Sequence, residues 1–391
     1  MNKVLTGLEI FRDEYWHHLK GQKLGLLSNH ASLDHQLTSA KKIVIQRLPG
    51  QLKVLFGPQH GYKGEDQDNM VETDHMIDQD LGIPIFSLYA KNREPLPEML
   101  DLIDTLIIDL QDVGTRVYTF ASTMLNSLQA VAKQGKRIVV LDRPNPLGGA
   151  QVEGNLLSTD LLSFVGPFKY PMRHGLTMAE MARIFNDQYQ LGVELEIVPL
   201  KGWRRRMLWF DTGLKWLMPS PNMPLPETAY VYPGQVIWEG TNLSEGRGTC
   251  RPFEIFGAPY LDTKKVRDYL TPEAMEGCHL QEISFKPTFH KWTGELCNGF
   301  MIHIIDPHRY SPYFTSLALL KTIIEVHRER FQWKSPPYEY EYEKMPIDII
   351  LGNSELRQDI ESGKDLLKIK AAWLSEINEY LEWRRPYLLY K

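Results

Sequence analysis

Short apolar runs alternate with longer amphipathic segments over about the first 200 residues of the chain. Nearly continuous apolar runs are typical of strands that are buried on both faces of a parallel sheet, and the segments between them are typical of covering helices. We therefore predict an α/β fold with a parallel sheet and helices on both faces. The predicted strands are Leu24–Ser28, Lys53–Phe56, Pro84–Tyr89, Leu106–Leu110, Arg137–Asp142 and Leu195–Leu200, and the predicted helices are His35–Arg47, Pro97–Ile103, Val117–Gln134 and Thr177–Tyr189.

The pattern changes near residue 220. Residues 217–234 contain five prolines, which predicts an irregular crossing between domains. A length of 391 residues fits two domains, and we place them at 1–222 and 223–391. In the second part we predict helices at Thr263–Leu270, at Pro312–Glu329 and within 354–387, and strands at Glu282–Pro287 and Gly299–Ile305.

Composition excludes several classes of protein. A net charge of -5 gives no excess of positive charge to replace phosphate counterions, so we expect no nucleic-acid partner. No apolar stretch approaches 18 residues, so we expect no membrane span. Three widely spaced cysteines fit neither a metal site nor a disulfide framework and favour a reducing compartment. Because the N-terminal stretch has no sustained apolar run, we expect no signal peptide and a cytoplasmic protein.

Polar residues follow five of the predicted strands. Because the carboxyl ends of parallel strands meet at one edge of a sheet, these residues should converge on one pocket. Any one of them alone is more often a turn or cap residue, and only the convergence favours a ligand site. They are Ser28, Asn29 and His30; Gln59 and His60; Tyr89 and Lys91; Asp109, Gln111, Asp112 and Arg116; and Asp142, Arg143 and Asn145.

The same edge lacks the common cofactor motifs. No G-x-G-x-x-G follows the first strand, and the loop "GPQHGYKG" after the second has proline where a dinucleotide site needs glycine. Phosphate-loop, nucleophile-elbow and zincin motifs are also absent, so we expect no cofactor. The acidic segment 65–80 lacks the residue order of a calcium loop, so we interpret it as a solvated lid loop and expect no metal.

Two glycine-rich loops of the second half carry both signs of charge at high density. Residues 238–257 contain Glu239, Asn242, Glu245 and Arg247, and residues 287–299 contain His290. Such loops are usually surface turns. Here the density of charge leads us to the hypothesis that they face the strand-end edge across a cleft.

The motifs together resemble the DUF1343 family, which includes exo-β-N-acetylmuramidases of the NamZ type. The resemblance covers nearly the whole chain from about residue 20. It implies a Rossmann-like N-terminal domain, a smaller α/β C-terminal domain, a pocket between them, and removal of N-acetylmuramic acid from the non-reducing end of peptidoglycan fragments. The motifs are "GPQHGYKG", "SLYAKNREPLPEML", "IIDLQDVGTRVYT", "LDRPNPLGG", "YPMRHGLTMAE", "PSPNMP", "YPGQVIWEGTNLSEGRGTCRPFEIFGAP" and "PTFHKWTGELCNG".

One position departs from that family. The muramidases have G-P-E-H-G after the second strand, and the resemblance implies that its Glu is catalytic, whereas this chain has Gln59. Glycoside hydrolysis usually needs two carboxyl groups, and Gln59 cannot ionise. If the 2-acetamido oxygen of the sugar attacks C1, the protein supplies an acid and a group that orients the amide, a role open to Gln59. The candidates for the acid are Glu65, Asp112, Glu239 and Glu245.

The remaining candidates are for substrate binding. Arg143, Arg173 and Arg247 suit a bidentate grip on the muramic carboxylate, although each could instead form a structural salt bridge. Asp112 and Arg116 could equally pair with each other. The full set is Asn29, Gln59, His60, Tyr89, Gln111, Arg116, Arg143, Asn145, Arg173, His174, Asn242, Arg247 and His290.

Two other functions stay open at this point. The chain could bind or sense a sugar without catalysis. It could also hydrolyse another bond, such as an ester or amide, through His60 and a nearby carboxylate. A small saccharide is the expected partner, and the sequence leaves the oligomeric state open.

Overall fold

The computed structural model describes residues 3–67 and 70–391. Residues 1 and 2 of the N-terminal stretch and residues 68 and 69 of the expected lid loop lie outside that description. The strands are β1 (Leu24–Ser28), β2 (Leu52–Gly57), β3 (Met76–Ile77), β4 (Pro84–Ser87), β5 (Thr105–Asp109), β6 (Arg137–Leu141), β7 (Glu153–Leu156), β8 (Pro171–Arg173), β9 (Glu194–Val198), β10 (Ile255–Ala258), β11 (Cys278–Phe285) and β12 (Cys297–Ile304).

The helices bear out most of the predicted positions, with ends that differ by a few residues. The α5 helix begins with the capping box expected from the sequence, in which the Thr177 side chain accepts from the Glu180 amide and the Glu180 side chain accepts from Thr177. The α-helices are α1 (Gly7–Ile10), α2 (Ala40–Arg47), α3 (Pro97–Leu100), α4 (Phe120–Lys133), α5 (Met178–Gln188), α6 (Pro226–Gln235), α7 (Thr263–Tyr269), α8 (Pro312–Val326), α9 (Pro346–Leu351), α10 (Ser354–Glu361) and α11 (Leu366–Trp383).

The main sheet has seven strands in the order β3-β4-β2-β1-β5-β6-β9. All neighbours are parallel except β3, which pairs antiparallel with β4 at one edge. The chain builds outward from β1 in both directions, so β2 and β5 flank β1. The carboxyl ends of these strands form the crevice in which open α/β sheets bind their ligands.

Both faces of the sheet are buried, as the continuous apolar runs predict. Alternate residues of each strand point to opposite faces. In β1, Leu27 packs in the core that includes Met124 of α4, and Leu26 packs in the core that includes Ile43 of α2. The fold class is therefore confirmed.

The second part of the chain is built around a smaller antiparallel sheet. Its three strands lie in the order β10-β12-β11. The buried helices α6 and α8 pack closely beside one another at Gly234. A Cβ at this position would lie only 1.9 Å from the Pro312 carbonyl oxygen, so a residue with a side chain would not fit without a shift. Among the described residues, no helix is both long enough and apolar enough to cross a bilayer.

The proline-rich segment corrects one prediction. Residues 226–234 are not an irregular crossing, because they form most of the buried helix α6. Pro226 occupies the first turn, where its missing N–H costs nothing, and Pro233 lies inside the helix. Burial of this helix between its neighbours outweighs the cost of Pro233. The hairpin of β7 and β8 was not predicted either.

Candidate active site

One buried pocket is lined by residues from both parts of the chain. Its cavity volume is about 30 Å³. The glycine-rich loop 238–257 and the edge beyond β2 and β5 both contribute, whereas the lining includes no residue of 287–299, the second loop of the cleft hypothesis. The lining residues are Gln59, His60, Val117, Tyr118, Thr119, Val165, Ser220, Asn222, Met223, Tyr232, Glu239, Arg247, Phe253, Tyr338 and Glu339.

Gln59 lies at the centre of a buried hydrogen-bond network. Its carbonyl oxygen accepts from the hydroxyl of Thr119, the residue that precedes α4. Its amide nitrogen donates to Tyr89 Oη at 3.1 Å and to Glu339 Oε1 at 3.3 Å. Tyr89 Oη in turn donates to Glu339 Oε2 at 2.6 Å. The amide of Gln59 is thus held in one orientation by partners on both of its ends.

Glu339 is a pocket carboxyl group that the sequence analysis missed. Its side chain is buried, and burial, followed by the nearby charge of Glu239, raises the pKa of Glu339 to about 7. The bonds from Tyr89 and Gln59 act in the opposite direction but do not outweigh burial. Near neutral pH a substantial fraction of Glu339 therefore carries a proton.

Glu239 is the second carboxyl group of the pocket, and its surroundings differ. It lies in the short turn Val236–Gly240 that follows α6. Its Oε1 is 2.7 Å from Arg247 Nη2, and its Oε2 accepts from Tyr338 Oη at 2.6 Å. A guanidinium and a phenol therefore bind the two oxygens of this carboxyl group.

Glu245 lies behind Glu239, where it is fully buried and outside the pocket lining. Its oxygens are 3.2 Å from Arg247 Nε, 3.1 Å from His290 Nδ1 and 2.9 Å from Lys291 Nζ. Burial opposes ionisation, but the charge of Lys291, then His290 and Arg247, holds the pKa of Glu245 well below its usual range. Glu245 therefore serves as the anion that anchors the side chains of Arg247, His290 and Lys291.

His60 lines the pocket as a neutral imidazole. Burial lowers the pKa of His60 to about 4. Its Nδ1 lies 2.7 Å from the Asp66 carbonyl oxygen, which fixes Nδ1 as the protonated nitrogen. His60 can therefore contribute a hydrogen bond at the pocket but not a positive charge.

Two of the proposed acids lie elsewhere. Glu65 is exposed, and its carboxylate accepts from the Lys63 amide in its own loop. Asp112 is buried, accepts from the Gly114 amide and lies 3.3 Å from His174 Nε2. Neither lines the pocket that holds Gln59.

The possible pairing of Asp112 with Arg116 is not what the structure shows. Arg116 is fully buried, and the bonds of its guanidinium in the described part of the chain go to backbone carbonyl oxygens of four residues. They tie the hairpin of β7 and β8 to the end of α9. The acceptors are Asn155, Tyr170, Ile350 and Leu351.

Several strand-end residues hold loops together rather than line the pocket. Asn29 donates to the Pro219 carbonyl, Gln111 donates to the Pro144 carbonyl and Asn145 donates to the Leu176 carbonyl. Asn242, in the second half, likewise donates to the Arg330 carbonyl. Their turn and cap chemistry shapes the loops around the pocket.

Of the three arginines considered for a substrate carboxylate, Arg247 is the one in the pocket lining. Arg173 donates to the Leu147 carbonyl, and burial lowers the pKa of Arg173 to about 10. Arg143 forms a two-pronged ion pair with Asp109, with Nη2 2.8 Å from Oδ2. The structural salt bridge is therefore the arrangement that Arg143 adopts.

Replacing Arg143 by methionine should destabilise the fold. The change leaves the completely buried Asp109 carboxylate without its guanidinium, which typically costs about 3–5 kcal/mol. Urea unfolding would measure the loss. A matched Arg309→Met variant breaks an ion pair with Glu276 that is exposed on both sides, and should cost less than about 1 kcal/mol. A raised KM with unchanged stability in the Arg143 variant would instead support substrate binding.

The segment that contributes Tyr338 and Glu339 has an unusual sequence pattern that could have indicated a functional role. Tyrosine and glutamate alternate from Tyr338 to Glu343, directly after two prolines. Both Glu339 and Tyr340 have a positive φ, as do the pocket residues His60 and Phe253. Non-glycine residues rarely adopt this conformation, and where they do the surrounding structure must hold them there.

The described residues contain no group of three or more His, Cys, Asp or Glu side chains placed to hold a metal ion. Two carboxyl groups in one buried pocket of an α/β fold are the arrangement of a candidate glycoside hydrolase.

Comparison with known proteins agrees with that class. The family described as exo-β-N-acetylmuramidase NamZ matches through its N-terminal domain at residues 24–227 and its C-terminal domain at residues 230–390. The chain belongs to this family. It is 37% identical over 388 residues to the peptidoglycan β-N-acetylmuramidase NamZ of Bacillus subtilis strain 168, a match that covers 99% of this chain and 92% of the relative.

Solved structures show the same fold. A DUF1343 family protein from Bacteroides fragilis superimposes with a TM-score of 0.89 at 30% identity, covering 100% of both chains. A second DUF1343 protein from the same organism gives a TM-score of 0.76 at 26% identity, covering 100% of this chain and 99% of the other. The family suggested by the sequence motifs is thus confirmed over the whole chain.

Proposed function

We propose that this chain is an exo-β-N-acetylmuramidase that removes β-linked N-acetylmuramic acid from the non-reducing end of peptidoglycan fragments. The observation that carries the proposal is the presence of Glu239 and Glu339 in one buried pocket of a chain from this family. Two carboxyl groups that flank a glycosidic bond are what most glycoside hydrolases use.

The polar groups of the pocket also suit an N-acetylated sugar. The carbonyl oxygen of Gln59 accepts one hydrogen bond from Thr119 and can accept a second from an acetamido N–H or a water, and Glu239 supplies negative charge where positive charge develops at C1. Glu239 is already bound by Arg247 and Tyr338, so we propose that the sugar's own acetamido oxygen, rather than Glu239, attacks C1.

A panel of chromogenic glycosides tests the activity. We expect release of the chromophore from the β-N-acetylmuramide and little release from the β-N-acetylglucosaminide, which lacks the lactyl group. If the protein binds N-acetylmuramic acid tightly but turns over no sugar, it is a non-catalytic sugar-binding protein. Turnover of esters or amides alone would support the alternative based on His60.

We also propose that the protein acts in the cytoplasm on fragments that arise from cell-wall turnover. Its three cysteines are free, which agrees with a reducing compartment. Fractionation of cells, followed by detection of the native protein, would test this location.

A further inference from the structure

We propose that Glu339 is the catalytic acid that protonates the leaving oxygen, and that Gln59 and Tyr89 are positioning residues that hold its carboxyl group towards the sugar. This inference rests on the proposed muramidase function. It assigns the acid to a residue outside the loop after β2, in which Gln59 cannot ionise.

The hydrogen bonds at Glu339 fit a proton donor. One oxygen accepts from the Gln59 amide and the other accepts from the Tyr89 hydroxyl. Because the carboxyl group receives both bonds, neither of them uses the proton of a protonated Glu339. That proton can point into the pocket, towards a glycosidic oxygen.

The backbone conformation at Glu339 indicates that its side chain is held in a specific position. Its φ is 46°, and that of the next residue, Tyr340, is 69°. Such a conformation is unfavourable at a non-glycine residue and persists only where other contacts enforce it. In this conformation two consecutive side chains reach different partners in the pocket. Tyr338 donates to Glu239, and Glu339 accepts from Gln59.

The two pocket carboxyl groups have different partners. Glu239 is bound to the guanidinium of Arg247 and the phenol of Tyr338. Burial and the charge of Glu239 raise the pKa of Glu339 to about 7, so Glu339 can hold a proton near neutral pH. Two carboxyl groups in unlike environments commonly divide the roles of acid and charged partner.

The proposed steps balance. As the bond between C1 and the leaving oxygen breaks, its electron pair goes to that oxygen, which takes the proton of Glu339. The acetamido oxygen of the substrate forms a bond to C1, and Glu239 stabilises the positive charge on the resulting ring. Water then attacks C1 as the bond between C1 and the acetamido oxygen breaks, and the electron pair of that bond returns to the acetamido group. The water gives a proton to the Glu339 carboxylate, which restores the acid.

Glutamine at position 59 has a specific advantage in this arrangement. Its amide donates to Glu339, whereas a carboxylate would repel Glu339 and compete for the same proton. We therefore expect Gln59→Glu to lower turnover, although it restores the residue of the related motif.

The test compares two substrates in the full-length protein and a Glu339→Gln variant. One is an N-acetylmuramide with a nitrophenyl leaving group, and the other is the disaccharide of N-acetylmuramic acid and N-acetylglucosamine. Loss of a general acid typically costs about 100- to 10,000-fold. We expect a loss of this size for the disaccharide and a much smaller one for the aryl glycoside, because nitrophenolate leaves without protonation. The fall of the wild-type kcat/KM as pH rises through about 7 should also disappear.

Controls separate this role from a structural one. Glu343→Gln changes an exposed carboxylate of the same segment and should retain the wild-type kinetics. Tyr89→Phe removes a bond that stabilises the ionised form of Glu339, so the alkaline limb of its pH profile should move to higher pH. This variant keeps the inference testable if Glu339→Gln does not fold.

The outcomes are distinct. Equal losses on both substrates, or wild-type rates in Glu339→Gln, would overturn the assignment of the acid while leaving the muramidase function in place. A higher rate in Gln59→Glu, or an unmoved pH limb in Tyr89→Phe, would also contradict it. Absence of turnover by the wild-type protein on both substrates would instead refute the proposed function.

Discussion

Replacing Glu239 by glutamine is expected to lower kcat by about 100- to 1,000-fold on the disaccharide and on the aryl glycoside alike, the loss typical of one transition-state stabiliser. The substitution removes the negative charge that we propose lies next to the anomeric carbon but keeps the size of the side chain. Since charge at C1 develops whichever group leaves, a good leaving group should not rescue this variant. That equal loss distinguishes Glu239 from Glu339.

Glu65→Gln is the matched control for this substitution. Glu65 belongs to the loop after β2 and was a candidate acid, but it is exposed and outside the pocket lining. We expect wild-type kinetics from it. Wild-type kcat in Glu239→Gln, or a large loss in Glu65→Gln, would mean that the reacting sugar lies elsewhere. Thermal unfolding of both variants would show whether the fold is retained.

The sequence predicted the scaffold well because the signal for it is local. Apolar runs such as Leu24–Ser28 need only neighbouring residues to be recognised, and the strand there agrees at both ends. The capping box at Thr177 is equally local. Helix α6 was missed because its stability comes from packing against α8 rather than from its own proline-containing sequence.

The site was predicted less completely because its partners are distant in the chain. Gln59 was placed at a strand end, but it meets Glu339 across 280 residues. No periodic pattern of apolar residues predicts this contact, since Glu339 lies in an irregular segment. Conversely, Asn29 and Asn145 stand at strand ends, as predicted, yet their amides hold neighbouring loops. A residue's position at the edge of the sheet does not decide whether it faces the pocket.

Replacing Arg247 by methionine is expected to abolish activity and to lower the free energy of unfolding by about 3–5 kcal/mol, the usual cost of breaking a buried ion pair from one side. Arg247 is buried, and its guanidinium lies between Glu239 and Glu245. Methionine would fill part of the space but would leave two buried carboxylates close together with less positive charge. Urea unfolding and kcat measured on the same preparation would test both effects.

Two further variants show whether the charge of Arg247 or the geometry of its guanidinium is responsible for the expected losses of stability and activity. Arg251→Met breaks an ion pair between an arginine whose side chain is 41% exposed and the buried Glu254, and should cost less than Arg247→Met, because one buried carboxylate instead of two loses its cation and Glu254 keeps its hydrogen bond from Thr228. Arg247→Lys keeps the charge but not the planar fork that reaches both carboxylates, so it should recover part of the stability and little of the activity. If Arg247→Met unfolds like the wild-type protein, the cluster does not hold the second-half loop against the sheet edge. Glu239 would then be positioned by its other contacts, among them the hydrogen bond that it accepts from Tyr338 Oη.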